Sequence, residues 1–191
     1  DMGGFATATY LRGISFLQVP TSLLSQVDAS VGGKTGVDLP FGKNLVGAFH
    51  QPLAVVTDPA ALDTLPRHYF NDGMGEVVKY GCIADAPLFH ALEDGTALDD
   101  LETVLRKCVT CKKELVEQDA RDTGRRMILN FGHTFGHALE KLHDFKELAH
   151  GEAVGIGMVI ACRVGENLGV TEAGTAERVK KVLEQYGLPT T

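Results

Sequence analysis

The spacing of apolar positions changes partway along the chain. Apolar residues from Phe5 to Leu11 follow a helical rhythm up to Gly13, and Ile14 to Val19 form a mostly apolar run ended by Pro20. These read as a short helix followed by a buried strand. Ala54 to Thr57 reads as a second buried strand. Asp58 ahead of Pro59 then predicts a capped short helix that Leu65–Pro66 ends. Residues 1–66 thus alternate helix and strand like the tail of a doubly wound sheet, whereas 67–191 show helical periodicity alone. The predicted fold class is α/β followed by all-α, divided between residues 66 and 67.

The helical part reads as a series of amphipathic segments. Phe70, Val77, Val78 and Ile83 share one face of a helix that also carries Glu76 and Lys79. Asp85 is placed to cap a helix over Pro87–Leu92, and Leu101–Glu117 turns Val104, Cys108, Cys111 and Leu115 to one side. A central helix is predicted from Ile128 onward, with its apolar stripe at Ile128, Phe131, Phe135, Leu139 and Leu142. Gly132 and Gly136, four apart, leave room for another element to pack closely. Glu152–Asn167 is almost wholly apolar and rich in glycine, hence a buried helix stopped at Gly169. Thr171–Tyr186 closes the series, with Val179, Val182, Leu183 and Tyr186 facing inward.

Composition narrows the function classes. At 44% hydrophobic and 23% charged, the 191 residues suffice for a packed core. A net charge of −7 argues against a nucleic-acid partner, which calls for a basic face. No apolar run reaches membrane-spanning length and no basic-then-apolar leader opens the chain, so a cytoplasmic protein is expected. The four cysteines lack a second pair at zinc-finger spacing, and Cys108 and Cys111 are expected to be small core side chains. Asp1 opens the chain in the middle of a helix-like pattern, so it reads as part of a longer protein.

Two constellations point to chemistry. His133 and His137 lie four apart, on one helix face, and His150 follows after a break. Glu76, in an otherwise apolar helix, is the best carboxylate to join them, because an unpaired buried carboxylate is costly. Glu76, His133 and His150 together would form a zinc site of two histidines and a glutamate with a position open to substrate oxygens. The competing reading of Glu76 is a surface pair with Lys79. The second constellation is cationic: Arg12, Lys34, Lys43, Lys79, Lys112 and Arg126 sit beside glycines, caps or buried faces. About four of the six are expected to serve an anionic ligand carrying phosphate and carboxylate, arginine as a planar fork and lysine as a point charge. Residues 21–52 read as a glycine-rich loop. Its GGKT resembles the end of a phosphate loop, but Asp28 occupies the position that motif reserves for glycine. Its glycines are expected to let backbone approach a ligand closely.

DMGGFATATYLRG, DASVGGKTG, GKNLVGAFHQP, TLPRHYFNDGMGEVVKYG, LNFGHTFGHALE and HGEAVGIGM occur in one order across nearly the whole chain. They resemble the 3-dehydroquinate synthase family of sugar-phosphate cyclases. The resemblance implies the tail of a Rossmann-like NAD-binding domain and a helical metal- and substrate-binding domain, with the active site between them. It implies metal ligation by Glu76, His133 and His150, with zinc or cobalt as the ion. Lys79, Lys112, Arg126, Asn130 and His137 match catalytic positions, and Arg12, Asp28, Lys34 and Asn44 match substrate-binding ones. Asp1, Thr21, Ser22, Lys34, Lys43, Ala61, Leu62, Asp63 and Thr64 match contacts to NAD.

The implied reaction converts 3-deoxy-arabino-heptulosonate 7-phosphate to 3-dehydroquinate and phosphate. It proceeds by NAD-dependent oxidation, β-elimination, reduction and intramolecular aldol closure, a step of aromatic amino acid biosynthesis. A homodimer is a further implication. Three positions depart from the family pattern: Ser22 for threonine, Asp122 for glutamate, and Ala120 for an acidic residue. The alternatives are another sugar-phosphate cyclase, such as 2-deoxy-scyllo-inosose or valiolone synthase, a metal-dependent polyol dehydrogenase, and an inactive helical interaction module.

Overall fold

The computed structural model describes residues 1–191 apart from 41, 121 and 144–146; the side chains of Lys43 and Asn44 also lie outside the described residues. Helix α1 (Met2–Thr9) runs into a tight turn at Tyr10–Arg12, where Leu11 and Arg12 take positive φ. Strand β1 (Leu17–Gln18) follows, then a wide helical turn at Ser25–Ala29. Next come β2 (Lys34–Leu39), β3 (Gly42–Phe49) and β4 (Ala54–Val55). β1 pairs with β4 in parallel, Leu17 opposite Ala54. β2 and β3 form an antiparallel hairpin, Lys34 opposite Phe49, against which α1 packs.

That hairpin corrects the expected glycine-rich loop. A Cβ on Gly47 would collide with the Thr35 carbonyl across the ladder, so this glycine serves strand pairing. The strands expected to be buried are also corrected, since Leu17, Val19, Leu53 and Val56 are exposed. A parallel pair is normally covered on both faces, and among the described residues these side chains have no such cover.

The helical part begins with α2 (Arg67–Ile83), followed by α3 (Ala86–Glu93) and α4 (Leu101–Gln118). Asp85 caps α3 by accepting from the Leu88 N–H at 2.8 Å, and Asp100 caps α4 through the Thr103 N–H at 3.0 Å. A short 3₁₀ turn at Arg125–Asn130 leads to α5 (His133–Leu142), α6 (His150–Asn167) and α7 (Thr175–Gln185). Helix α2 is not amphipathic as its spacing predicts: every residue from 73 to 81 is buried. Glycines explain this, because Gly73 lies against Leu23, Gly75 against Gly151 and Gly81 against Phe89, so neighbours approach on three sides.

The core runs through Leu23, Met74, Val78, Leu92, Val159 and Leu183. Burial of each such side chain contributes about 1.5–3 kcal/mol. α7 turns Val179, Val182, Leu183 and Tyr186 inward as its periodicity predicts. Cys108 is buried and Cys111 half-buried, both as free thiols whose pKa burial pushes up. No helix among the described residues is long and apolar enough to cross a membrane.

The central helix differs most from expectation. It does not start at Ile128; Phe131 is extended and Gly132 is left-handed at φ 81°, which separates the 3₁₀ turn from α5. Ile128, Phe135 and Leu142 of the predicted apolar stripe are exposed, while Gly132, Gly136 and Glu140 are buried. Contact between backbones decides this face, and glycine permits it. A Cβ on Gly132 would stand 2.7 Å from the Val154 carbonyl, and one on Gly157 would strike the Gly132 carbonyl.

Candidate metal centre and anion cleft

Two close approaches of helix backbones assemble the centre. Gly75 of α2 meets Gly151 of α6, where an added Cβ would lie 2.6 Å from the Gly151 carbonyl oxygen. That contact brings Glu76 beside His150. The Asp72 carboxylate accepts from the Gly151 N–H, and Glu152 accepts from the Ala149 N–H at 2.9 Å, so the start of α6 is closed on both sides. The α5–α6 glycine contact brings in His133 from the other direction.

The outcome is a convergence of Glu76, His133 and His150, whose ligand atoms lie within 4.8 Å of one another. Both Nε2 atoms stand 3.5 Å from Glu76 Oε1. Two ligands about 2.1 Å from a tetrahedral ion lie about 3.4 Å apart, so this spacing fits zinc. Glu76 is 0% exposed, and neither of its oxygens makes a hydrogen bond among the described residues. A buried carboxylate of that kind calls for a cation. Lys79, 1% exposed, pairs with Oε2, so the surface-pair reading of these two residues does not hold. Burial pushes the His133 pKa down to about 4, leaving the neutral imidazole that a metal needs. At His150 burial acts the same way, but the hydrogen bond that Glu140 accepts from it and the negative charge of Glu76 outweigh burial and hold the pKa up at about 10.

Beside this centre lies a cleft of about 970 Å³. Its lining includes the charged residues Asp28, Lys34, Lys79, Lys112 and Arg126 together with Asn130, His133, His137 and His150. Asp28 organises the cations: it accepts from Tyr80 Oη at 2.7 Å and pairs with Lys112 at 3.0 Å and Lys79 at 3.8 Å. Burial disfavours its charge, but the two lysines outweigh that and hold the carboxyl well below the usual carboxylate range. Burial also opposes the lysine charges. It prevails at Lys112, whose pKa is pulled down, whereas Glu76 and Asp28 raise that of Lys79.

Arg126, 1% exposed, donates from Nη1 to the Ala120 carbonyl at 3.1 Å and from Nη2 to the Gly32 carbonyl at 3.3 Å. Its Nε has no hydrogen-bond partner among the described residues. Gly32, at φ 103°, has no room for a Cβ because one would lie 2.5 Å from Nη2. The glycine expected to face a ligand therefore faces the Arg126 guanidinium instead. Asp122 pairs with Lys34, so the shorter acid still reaches that cation.

Of the other expected residues, only Asp1 is among the described residues that line the cleft. Arg12 is exposed at the end of α1 and does not line the cleft. Asp1 lines it together with Lys34. Thr21 and Ser22 follow β1, with Ser22 hydrogen-bonded to Ser25. The turn from Ala61 to Thr64 follows β4, and Leu62 points into the core. Lys43 and Asn44 carry side chains outside the described residues. Sequence reasoning missed Asp72, Tyr80 and Glu140. Each sits at helical spacing from an expected residue: Asp72 and Tyr80 four from Glu76, and Glu140 three from His137.

Fold and site together define a protein with three convergent metal-ligand side chains beside a cationic cleft, between a small α/β part and a helical part. The chain belongs to the 3-dehydroquinate synthase family. Residues 1–72 match the profile described as 3-dehydroquinate synthase N-terminal, and residues 73–191 the one described as 3-dehydroquinate synthase C-terminal. It is 53% identical to the 3-dehydroquinate synthase of Clostridium perfringens (strain SM101 / Type A), over 100% of this chain and 55% of that protein. It is 52% identical to that of Prochlorococcus marinus (strain MIT 9211), over 100% and 54%.

Among solved structures, the 2-epi-5-epi-valiolone synthase ValA of Streptomyces hygroscopicus subsp. jinggangensis 5008, with NAD⁺ and Zn²⁺ bound, superposes at a TM-score of 0.89. The match is 31% identical and covers 99% of this chain and 54% of that one. A 2-deoxy-scyllo-inosose synthase complexed with carbaglucose-6-phosphate, NAD⁺ and Co²⁺ superposes at 0.85, with 29% identity over 95% and 52%. The chain thus spans about half the length of the relatives it matches.

Proposed function

We propose that this chain is the metal- and substrate-holding part of a 3-dehydroquinate synthase, acting on 3-deoxy-arabino-heptulosonate 7-phosphate with NAD⁺ and zinc or cobalt. The observation that carries the reading is the convergence of Glu76, His133 and His150 at the edge of a cleft floored by Lys79, Lys112 and Arg126. A dianionic phosphate and a carboxylate on one substrate suit that floor. Relatives at 50–53% identity bear this name.

Glu76, His133 and His150 would hold the ion. Bound there, it supplies Lewis-acid stabilisation of substrate oxygens, while NAD⁺ accepts and returns a hydride. The remaining work falls to side chains. Arg126 presents a fork whose orientation two backbone carbonyls fix, which suits a carboxylate. Lys79 and Lys112 offer positive charge to the leaving phosphate, with Asp28 holding both in place. His137, exposed in the cleft, is placed to move a proton as phosphate leaves, and Asn130 to orient a hydroxyl. Catalysis here is chiefly positioning and charge neutralisation.

For NAD⁺ the support is topological. Thr21, Ser22 and the 61–64 turn follow the carboxyl ends of the parallel pair β1–β4, where open α/β sheets bind dinucleotides. Asp1 and Lys34 also line a smaller adjoining cavity of about 350 Å³ along the hairpin. We place the division between the two functional parts at residues 66 and 67, and read the enzyme as a cytoplasmic homodimer.

The deciding experiment is phosphate release from the heptulosonate phosphate by the full chain with NAD⁺ and zinc, with and without a chelator. Metal-dependent release coupled to dehydroquinate formation is expected. Release only from a sugar phosphate without a carboxylate would move the protein to the valiolone and inosose branch. NADH accumulating on a simple polyol would make it a dehydrogenase.

A further inference from the structure

Each histidine of the centre has a second ring nitrogen, and the two meet different partners. His133 Nδ1 faces the Phe131 carbonyl at 3.2 Å. His150 Nδ1 faces Glu140 Oε1 at 3.3 Å. The Nε2 atoms of both point to the same Glu76 oxygen. With Nε2 turned to the ion, Nδ1 carries the proton and donates it outward, to a carbonyl in one case and a carboxylate in the other. Glu140 is 2% exposed, on the face of α5 that the glycine contacts press against α6. It lies in the line Gly132–Gly136–Glu140, so the packing that positions His133 also fixes the carboxylate behind His150.

We propose that Glu140 is a positioning residue: its carboxylate accepts from His150 Nδ1–H, fixing the tautomer and ring orientation that direct Nε2 to the metal. This rests on the metal site proposed above. A second grouping is present on the same side, since His137, Glu140 and His150 also bring ligand atoms within 4.8 Å. An ion there would take the Nδ1 of His150, and occupancy of both groups would require that imidazole to lose both protons and bridge two metals. Donation to Glu140 needs no such step. Outer-sphere carboxylates of this kind raise the basicity of the ligand and hold its ring against rotation.

The test uses the full chain and zinc or cobalt alone. Glu140→Gln keeps the volume and a weaker acceptor, while Glu140→Ala removes the acceptor. One ion per chain is expected in all three proteins, with Kd from chelator competition about 10–100-fold weaker in Glu140→Ala and intermediate in Glu140→Gln. The visible absorption bands of the cobalt form should shift in Glu140→Gln, a change that loss of packing alone does not produce. If Glu140→Ala fails to fold, the isosteric variant decides through that spectrum.

An unchanged Kd and spectrum in Glu140→Gln would overturn the positioning role and leave the metal site standing. Two ions in the wild type and one in Glu140→Gln would make Glu140 a ligand and overturn it equally. A wild type that binds no ion would instead remove the metal reading underneath.

Discussion

The oxygens of Glu76 face different partners: Oε2 meets Lys79, and Oε1 meets two imidazoles. Asp28 acts similarly one layer out, holding two lysines that would otherwise repel each other. Its folded pKa is depressed, so its stabilisation is complete above about pH 5 and is lost as pH falls through the carboxylate range. Asp28→Asn should therefore cost about 3 kcal/mol at pH 7, because it leaves buried Lys112 without its counter-ion, while Lys79 keeps Glu76. Its loss of stability between pH 5 and pH 2 should be shallower than that of the wild type; urea unfolding at pH 7, pH 5 and pH 2 measures both. Arg126→Lys should raise KM for the carboxylated substrate at least about tenfold, the worth of one charge-assisted hydrogen bond. Unchanged steady-state kinetics would place Arg126 outside the site.

Helices α2, α5 and α6 meet at glycines, which bring their backbones close, as well as through apolar side chains. The candidate metal centre sits beside those contacts, so helix packing and ligand geometry depend on the same positions. Gly157→Ala would drive a Cβ into the Gly132 carbonyl. It should destabilise the fold by about 1–3 kcal/mol and weaken metal binding together, because α5 carries His133 away from α6. Gly169→Ala provides the contrast. That residue has φ 70° with open space around it, so the cost should be about 1–2 kcal/mol of backbone strain with metal affinity unchanged. Urea midpoints and chelator competition on both variants separate the two effects. The outer pair Arg178–Glu93, with the guanidinium 5.3 Å from the Phe89 ring, ties α7 to α3 at the surface and contributes little beside this packing.

Across the whole molecule, order of burial separates the two parts. Helices α2 and α6 lie in the interior, whereas β1 and β4 leave Leu17, Val19, Leu53 and Val56 exposed. Backbone amides of residues 73–81 and 153–159 should exchange slowest with deuterium, and those of β1 and β4 fastest. Equal protection in both parts, measured by mass spectrometry, would contradict that ordering. Added zinc should raise Tm and further slow the α2–α5–α6 group, since a ligand that binds only the folded state stabilises it.

Periodicity and residue chemistry determined much of this. The change from α/β to helical spacing, the caps at Asp58 and Asp85, the inward face of α7 and the candidates Glu76, His133 and His150 follow from local pattern, because caps and ligand types are local physics. Four features needed the tertiary structure. The hairpin of residues 34–49 was obscured by glycines, which weaken strand propensity yet here permit the pairing. The all-round burial of α2 arises from neighbours that its own sequence does not contain. The buried face of α5 carries two glycines and a glutamate, so an apolar stripe pointed to the wrong side. Glu140 drew no notice for the same reason: nothing in the chain's local pattern distinguishes a solvated glutamate from one pressed behind a histidine by a neighbouring helix.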